Sequence, residues 1–245
     1  MYLFKLEWDK WIKRKETVCY SLGYLLTGIA FSLLLLTDPV TAGMTGRQSV
    51  QTAVSLLAGF QLLFLTLCLY PVIGDFHSGF IKDAVGYGTG RVRIYLSKTV
   101  IVLIQYVGSQ ILLAGGMVVF FTVKNGFGTA LSGEGRGYIF RVLGMYAVYL
   151  ASVGMIGVCA AFAARDFIPV VIAAIVYPFT TAMLEQYVRP AGKVMEKILI
   201  TQRYKDICRP DITGREAGVF LLLAAGSAAV FFFGGMGYFQ RSEIK

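Results

Sequence analysis

The sequence predicts an all-α membrane protein of six transmembrane helices. It adds an N-terminal interfacial helix, a short amphipathic helix after the second span, and an outer amphipathic helix between spans five and six. Three observations predict this. First, 56% of the 245 residues are apolar and only 15% are charged, against about 45–50% and about 25% in ordinary soluble domains; mean hydropathy is +0.66. Second, the apolar residues gather into six runs whose cores are essentially free of charge, each near the ~20 residues a helix needs to cross the hydrocarbon. Third, the ten-residue alternation of a membrane β-barrel is missing. Helices are therefore expected, because backbone groups in lipid must bond within their own segment.

The expected spans are Thr17–Leu36, Ser49–Gly74, Lys98–Val123, Tyr138–Ala164, Phe167–Tyr187 and Glu216–Phe239. Asp38-Pro39 should end the first. Pro169 falls in the first turn of the fifth, where a missing N–H costs little. Pro178 lies mid-span and should kink that helix. Thr213 and Glu216 have the spacing of a capping box ahead of the sixth. The whole chain, residues 1–245, reads as one six-helix transmembrane domain. Within it, 1–15 form the interfacial helix, 75–95 the segment after span two, and 189–215 the outer loop and helix.

The amphipathic pieces have distinct patterns. Phe4, Trp8, Trp11 and Ile12 share one helical face, with Lys5, Glu7, Lys10 and Lys13 elsewhere, which suits a helix lying in the interface. Trp8 and Trp11 also interrupt the pattern of a cleavable signal peptide, so a retained N-terminus is expected. From Asp75 to Val85, Phe76, Phe80, Ile81, Ala84 and Val85 occupy one half of the helical circle and Ser78, Gly79, Lys82 and Asp83 the other. Gly86, Gly88 and Gly90 then form a hinge before Arg91 and Arg93. After Pro190, Ala191, Val194, Met195, Ile198 and Leu199 make a stripe opposite Lys193, Glu196 and Lys197.

The net charge of +9 belongs to residues flanking apolar runs, where they meet lipid headgroups or set topology; nucleic acid is not expected as a partner. With the N-terminus inside, nine basic residues up to Arg141 lie inside and four outside. Early segments weigh most in the positive-inside rule, so both termini are placed in the cytoplasm, although the basic loop before the last span violates the rule. The four cysteines, Cys19, Cys68, Cys159 and Cys208, form no CxxC pair. Cys208 alone lies in a polar loop, where it is either a free thiol or a bridge across a two-fold axis.

No phosphate loop, HExxH or GxSxG is present, and His77 is the only histidine. No catalytic residues, metal site or directly bound cofactor are expected, and the chain is not expected to hydrolyse ATP by itself. Gln61, Gln105 and Gln110 either line a path or bond neighbouring helices. Tyr177, Thr181 and Glu185 recur every fourth residue on the fifth span, as a polar stripe facing protein or water.

Two stretches carry a resemblance. One is Lys5-Leu6-Glu7-Trp8-Asp9-Lys10-Trp11 with the basic cluster after it. The other runs from Gly74 to Arg91, followed by Ile94-Tyr95-Leu96-Ser97-Lys98, with Asp75, Gly79, Lys82, Gly86, Arg91 and Lys98 at the matching positions. On these, the chain resembles the membrane subunit of type-2 ABC exporters. Family members more often carry Glu or Asn where this chain has Asp75 and His77. The resemblance implies that the segment after span two is a coupling helix docked in a groove of a separate ABC ATPase subunit, which would hold ATP and Mg. Asp75, Phe76, His77, Gly79, Phe80, Lys82, Asp83, Tyr87 and Arg91 would form the docking set. Phe76, Phe80 and Tyr87 would be the aromatic anchors, and Lys82, Asp83 and Arg91 would set register. Six helices are half the usual twelve, so a second permease copy is implied, a homodimer in the cell membrane. The cargo class it favours is amphipathic or antimicrobial peptides, similar to phenol-soluble modulins or lantibiotics, in export or self-protection and hence antimicrobial resistance. Polysaccharide, lipid and sodium export stay open.

Competing classes are a stand-alone secondary transporter, a membrane enzyme and a structural or chaperone-like membrane subunit. A transporter would show two similar halves with paired helix breaks, and Pro178 has no obvious partner in the first half. An enzyme would need clustered polar groups within the spans.

Overall fold

The computed structural model describes residues 8, 9, 13, 15–128, 133–187, 203–209 and 212–242. Among these the chain is helical, without strands. In order, the helices are α1 (Lys15–Leu35), α2 (Pro39–Ala42), α3 (Gly46–His77), α4 (Phe80–Gly86), α5 (Arg91–Asn125), α6 (Gly133–Ala164), α7 (Phe167–Tyr187), α8 (Tyr204–Ile207) and α9 (Gly214–Arg241). Among the described residues four helices are long and apolar enough to cross a membrane: α3, α5, α6 over Gly137–Ala164, and α9. Two further apolar stretches, Leu22–Leu35 and Phe167–Tyr177, are shorter. The interfacial helix, apart from Trp8, Asp9, Lys13 and Lys15, and the outer helix after Pro190 lie outside the described residues.

Several boundaries differ from those expected. α3 has 32 residues, about 48 Å at 1.5 Å per residue, well beyond the ~30 Å hydrocarbon core. It starts three residues earlier than Ser49, because Thr45 and Gln48 form a capping box there. Thr45 N–H donates to Gln48 Oε1 at 3.0 Å, and Gln48 N–H to Thr45 Oγ1 at 3.4 Å. It also ends later, absorbing Asp75, Phe76 and His77, which the amphipathic pattern had assigned to a separate piece. The break comes at Ser78-Gly79, with Gly79 left-handed at φ 74°. α5 starts at Arg91, so Arg91 and Lys98 belong to the spanning helix itself. The box at Thr213 and Glu216 forms as its spacing predicts, and α7 runs continuously through Pro178.

Two kinds of contact hold the bundle. Glycines let backbones approach: a Cβ at Gly28 of α1 would stand 2.3 Å from the Leu113 carbonyl oxygen of α5, and one at Gly116 of α5 would stand 2.9 Å from that of Leu25. Aromatic rings fill the end of the bundle nearest α4. Tyr95 of α5 meets Phe162 of α6 at 4.7 Å between centroids and Phe232 of α9 at 5.6 Å, while Phe162 meets Phe239 at 5.0 Å. Offset and edge-on pairs of this kind add about 0.5–1.5 kcal/mol each beyond area burial.

At the opposite end, α8 is tied to the bundle through its carbonyls. The Cys208 oxygen accepts from Gln51 Nε2 at 3.4 Å and from the Tyr138 hydroxyl at 3.3 Å. The Arg209 oxygen accepts from an Arg141 guanidinium nitrogen at 2.9 Å. Cys208 is only 7% exposed, and burial pushes its thiol up to about 11. The bridge considered for Cys208 from its polar sequence context therefore meets a thiol that is neither accessible nor ionised at neutral pH.

Candidate functional site at the α4 end

Of the docking segment expected from the sequence, Phe80–Gly86 folds as a short helix pinned at both ends. Gly79 supplies the left-handed turn that lets the chain leave α3 and start α4. At the other end, Gly88 has φ 83°. Its N–H bonds the Val85 carbonyl at 3.0 Å, and the Thr89 N–H bonds that of Ala84 at 3.0 Å. This is the Schellman pattern, which needs a residue able to sit left-handed. The hinge expected from Gly86, Gly88 and Gly90 is thus a defined cap centred on one of the three.

One ammonium ties α3, α4 and α5 together. Lys98 of α5 forms a salt bridge with Asp75 of α3, their side chains being 8% and 25% exposed. The same ammonium lies 5.2 Å from the ring centroid of Phe80 at the start of α4. A charge this deep needs a fixed partner, because leaving water costs several kcal/mol per ion. The partner is 23 residues away in sequence, and no helical spacing announces it. Lys98 matched the exporter pattern, but its pairing with Asp75 was not foreseen.

The remaining site residues divide into inward and outward sets. Phe76 turns into the bundle, edge-on to Phe162 at 5.4 Å and to Phe239 at 6.2 Å, with the Arg165 guanidinium 5.9 Å from its ring. Ile81 is buried, and Ala84 and Val85 are half-buried against the core. The apolar half of the amphipathic pattern therefore packs on this chain's own helices. Phe76 and Phe80, expected to project as anchors, are both half-buried, Phe76 against the aromatic cluster and Phe80 beside the Lys98 ammonium. Arg91, expected to set register with a partner, caps α9: one guanidinium nitrogen donates to the carbonyls of Gln240 and Ser242, each at 2.7 Å. A cation at the negative end of a helix is favourable. His77 stands 3.8 Å from Asp166, both more than half exposed, a pair of small energetic consequence.

What faces outward is Lys82, Asp83, Gly86 and Tyr87, the last 90% exposed. Tyrosine loses little rotamer entropy on binding and supplies a large amphipathic surface, which is why it is enriched among interface anchors.

The second set comprises the residues expected to line a path or to bond neighbouring helices. Gln61 is 5% exposed and accepts a 2.6 Å hydrogen bond from the Tyr149 hydroxyl; its backbone oxygen accepts from Tyr106 at 3.4 Å. It joins α3 to α5 and α6. Gln110 is fully buried, and neither atom of its carboxamide has a hydrogen-bond partner. Gln105 and Tyr177 are half-buried. The side chains of Thr181 and Glu185 lie outside those described. Among the described residues no three His, Cys, Asp or Glu side chains are grouped to hold a metal ion.

Comparison with protein-family models and with curated proteins finds no match to this chain.

Proposed function

We propose that this chain is the membrane subunit of an ATP-driven exporter of the type-2 ABC architecture. It works as a dimer with separate ATPase subunits that bind ATP and Mg. The observation that carries the reading is α4. A short helix between two spanning helices presents Lys82, Asp83 and a 90% exposed Tyr87, while its other face is locked into the bundle by Ile81, Phe80 and the Asp75–Lys98 pair. Such a helix transmits force, because displacing it displaces α3 and α5 with it. The motif from Gly74 to Lys98 that resembles the exporters coincides with this element.

In this reading α1 and α7 complete a six-helix permease. Each has 21 residues, about 31 Å of helix, enough for the hydrocarbon core. The α4 end is cytoplasmic, with both chain termini, in the cell membrane. The cargo class is amphipathic peptide or another hydrophobic molecule.

The test is co-purification in mild detergent of wild type, Tyr87→Asp and Lys82→Glu/Asp83→Lys, with mass spectrometry and an ATPase assay on the eluate. Wild type should recover an ABC ATPase and Tyr87→Asp should lose it while eluting as a folded protein. Tyr87 is the better probe than Phe80, whose substitution would disturb the Lys98 contact. Equal recovery by Tyr87→Asp would remove α4 as the docking element, and no ATPase with wild type in several detergents would remove the exporter reading.

A further inference from the structure

The last spanning helix, α9, is held by polar contacts at two heights, and both reach its backbone. At mid-span the fully buried Ser152 hydroxyl of α6 donates to the Ala224 carbonyl oxygen. At the α4 end one guanidinium nitrogen of Arg91 donates to the carbonyls of Gln240 and Ser242, each at 2.7 Å, and lies 3.4 Å from that of Phe239. A helix C-terminus leaves such carbonyls without an intrahelical donor, so the cation meets orphan acceptors at the negative end of the dipole. From Ala224 to Gln240 the helix rises about 24 Å at 1.5 Å per residue. Along that length Phe232 and Phe239 pack against Tyr95, and Phe239 also against Phe76 and Phe162. Apolar packing is non-directional, so rings can slip where a charge-assisted hydrogen bond fixes position.

Arg91 also belongs to the turn that ends α4. Only Tyr87, Gly88, Thr89 and Gly90 lie between α4 and Arg91, the first residue of α5. Backbone bonds close that turn from both sides. The Gly88 and Thr89 N–H groups reach back to the Val85 and Ala84 carbonyls, and the Arg93 and Ile94 N–H groups reach the Gly90 carbonyl. Arg91 therefore moves with the end of α4. Lys98, two turns along α5, holds α3 through Asp75; Arg91 holds α9 in the same way from the other side of the turn.

We infer that Arg91 is a latch through which displacement of α4 swings the 24 Å arm of α9 about its tie to Ser152. The inference goes beyond the exporter reading: it holds whichever partner moves α4, and its test needs no ATPase, so either can fail without the other. Hydrogen–deuterium exchange of the full chain in nanodiscs, read by mass spectrometry, compares wild type, Arg91→Gln, Gly88→Ala and the double variant. Arg91→Gln should speed exchange over 236–242 about tenfold, the effect of one lost charge-assisted hydrogen bond on local opening. It should leave 219–226, around the Ser152 tie, unchanged. Gly88→Ala puts a Cβ on a residue at φ 83° and so disturbs the end of α4. It should speed the 236–242 peptide while Arg91 is present and add nothing once Arg91 is replaced. Gly88→Asn, which tolerates the left-handed turn, should exchange as wild type does. A 236–242 peptide that ignores Gly88→Ala would reduce Arg91 to a passive cap and overturn the latch. Additive effects of the two substitutions would overturn it as well, by routing α4 to α9 through the rings. No change with Arg91→Gln would remove the tie itself.

Discussion

Replacing the two members of the Asp75–Lys98 pair should have unequal consequences. Their side chains are 25% and 8% exposed. Asp75→Asn leaves the Lys98 ammonium in the bundle facing a neutral amide and the Phe80 ring, 5.2 Å from its centroid. Removing one partner of a buried pair costs about 3–5 kcal/mol. Lys98→Met leaves Asp75 at the end of α3 with a quarter of its side chain in contact with solvent, and Met fills the volume, so the cost should be about 2 kcal/mol, below the fully buried range. The double variant Asp75→Asn/Lys98→Met leaves no charge behind and should lie within about 1–2 kcal/mol of wild type, because replacing both partners is far gentler than removing one. For a chain of this size about 1 kcal/mol shifts Tm by about 2–4 °C, so Asp75→Asn should fall by roughly 10 °C and Lys98→Met by about half that. Thermal unfolding in one detergent, followed by circular dichroism, measures all four proteins. If Lys98→Met proves worse than Asp75→Asn, or the double loses the sum of the two singles, the pair is not coupled as described.

Three further outcomes are expected. Gly28→Leu should prevent α1 from seating on α5, since even a Cβ would stand 2.3 Å from the Leu113 carbonyl oxygen; protease resistance of α1 in detergent should be lost, and Gly23→Leu, where a Cβ meets nothing within 4 Å, should leave it intact. Gln110→Leu should stabilise the fold by about 1–3 kcal/mol, the penalty of a buried polar group without a partner; a lower Tm would show that its carboxamide is satisfied by water or cargo. Cys208 should react slowly with a maleimide at pH 7, and its rate should climb about tenfold per pH unit, because a thiol raised to about 11 is protonated throughout that range and only the thiolate reacts. A rate already on its plateau at pH 8 would contradict the burial, and non-reducing gels should show wild type and Cys208→Ser migrating alike.

What the sequence determined alone is the material and the local geometry. Runs of apolar residues without charge commit the chain to helices in lipid, because no other open structure satisfies the backbone there. The helix start at Thr213 followed from a side chain three residues away. The glycine-rich turn around Gly88 was legible too, since a left-handed backbone excludes most residues, whereas the turn at Gly79 fell inside a stretch that read as one amphipathic helix. The tertiary structure decided which face of each helix looks inward. In a soluble protein polarity would mark that face, but here lipid and core are equally apolar. Leu57 is 1% exposed and Leu67 is 57% exposed on the same helix, with nothing in their chemistry to distinguish them. For the same reason the apolar half of the 75–85 segment read as a docking face, whereas Phe162 and Phe239 lie against Phe76 and Lys98 against Phe80. The contacts that define the α4 end join residues far apart in the chain, 23 positions for Asp75 with Lys98 and 149 for Arg91 with the Gln240 carbonyl. Helical periodicity carries information over four residues; an ion pair between helices depends on where whole helices pack, and only the folded chain contains that.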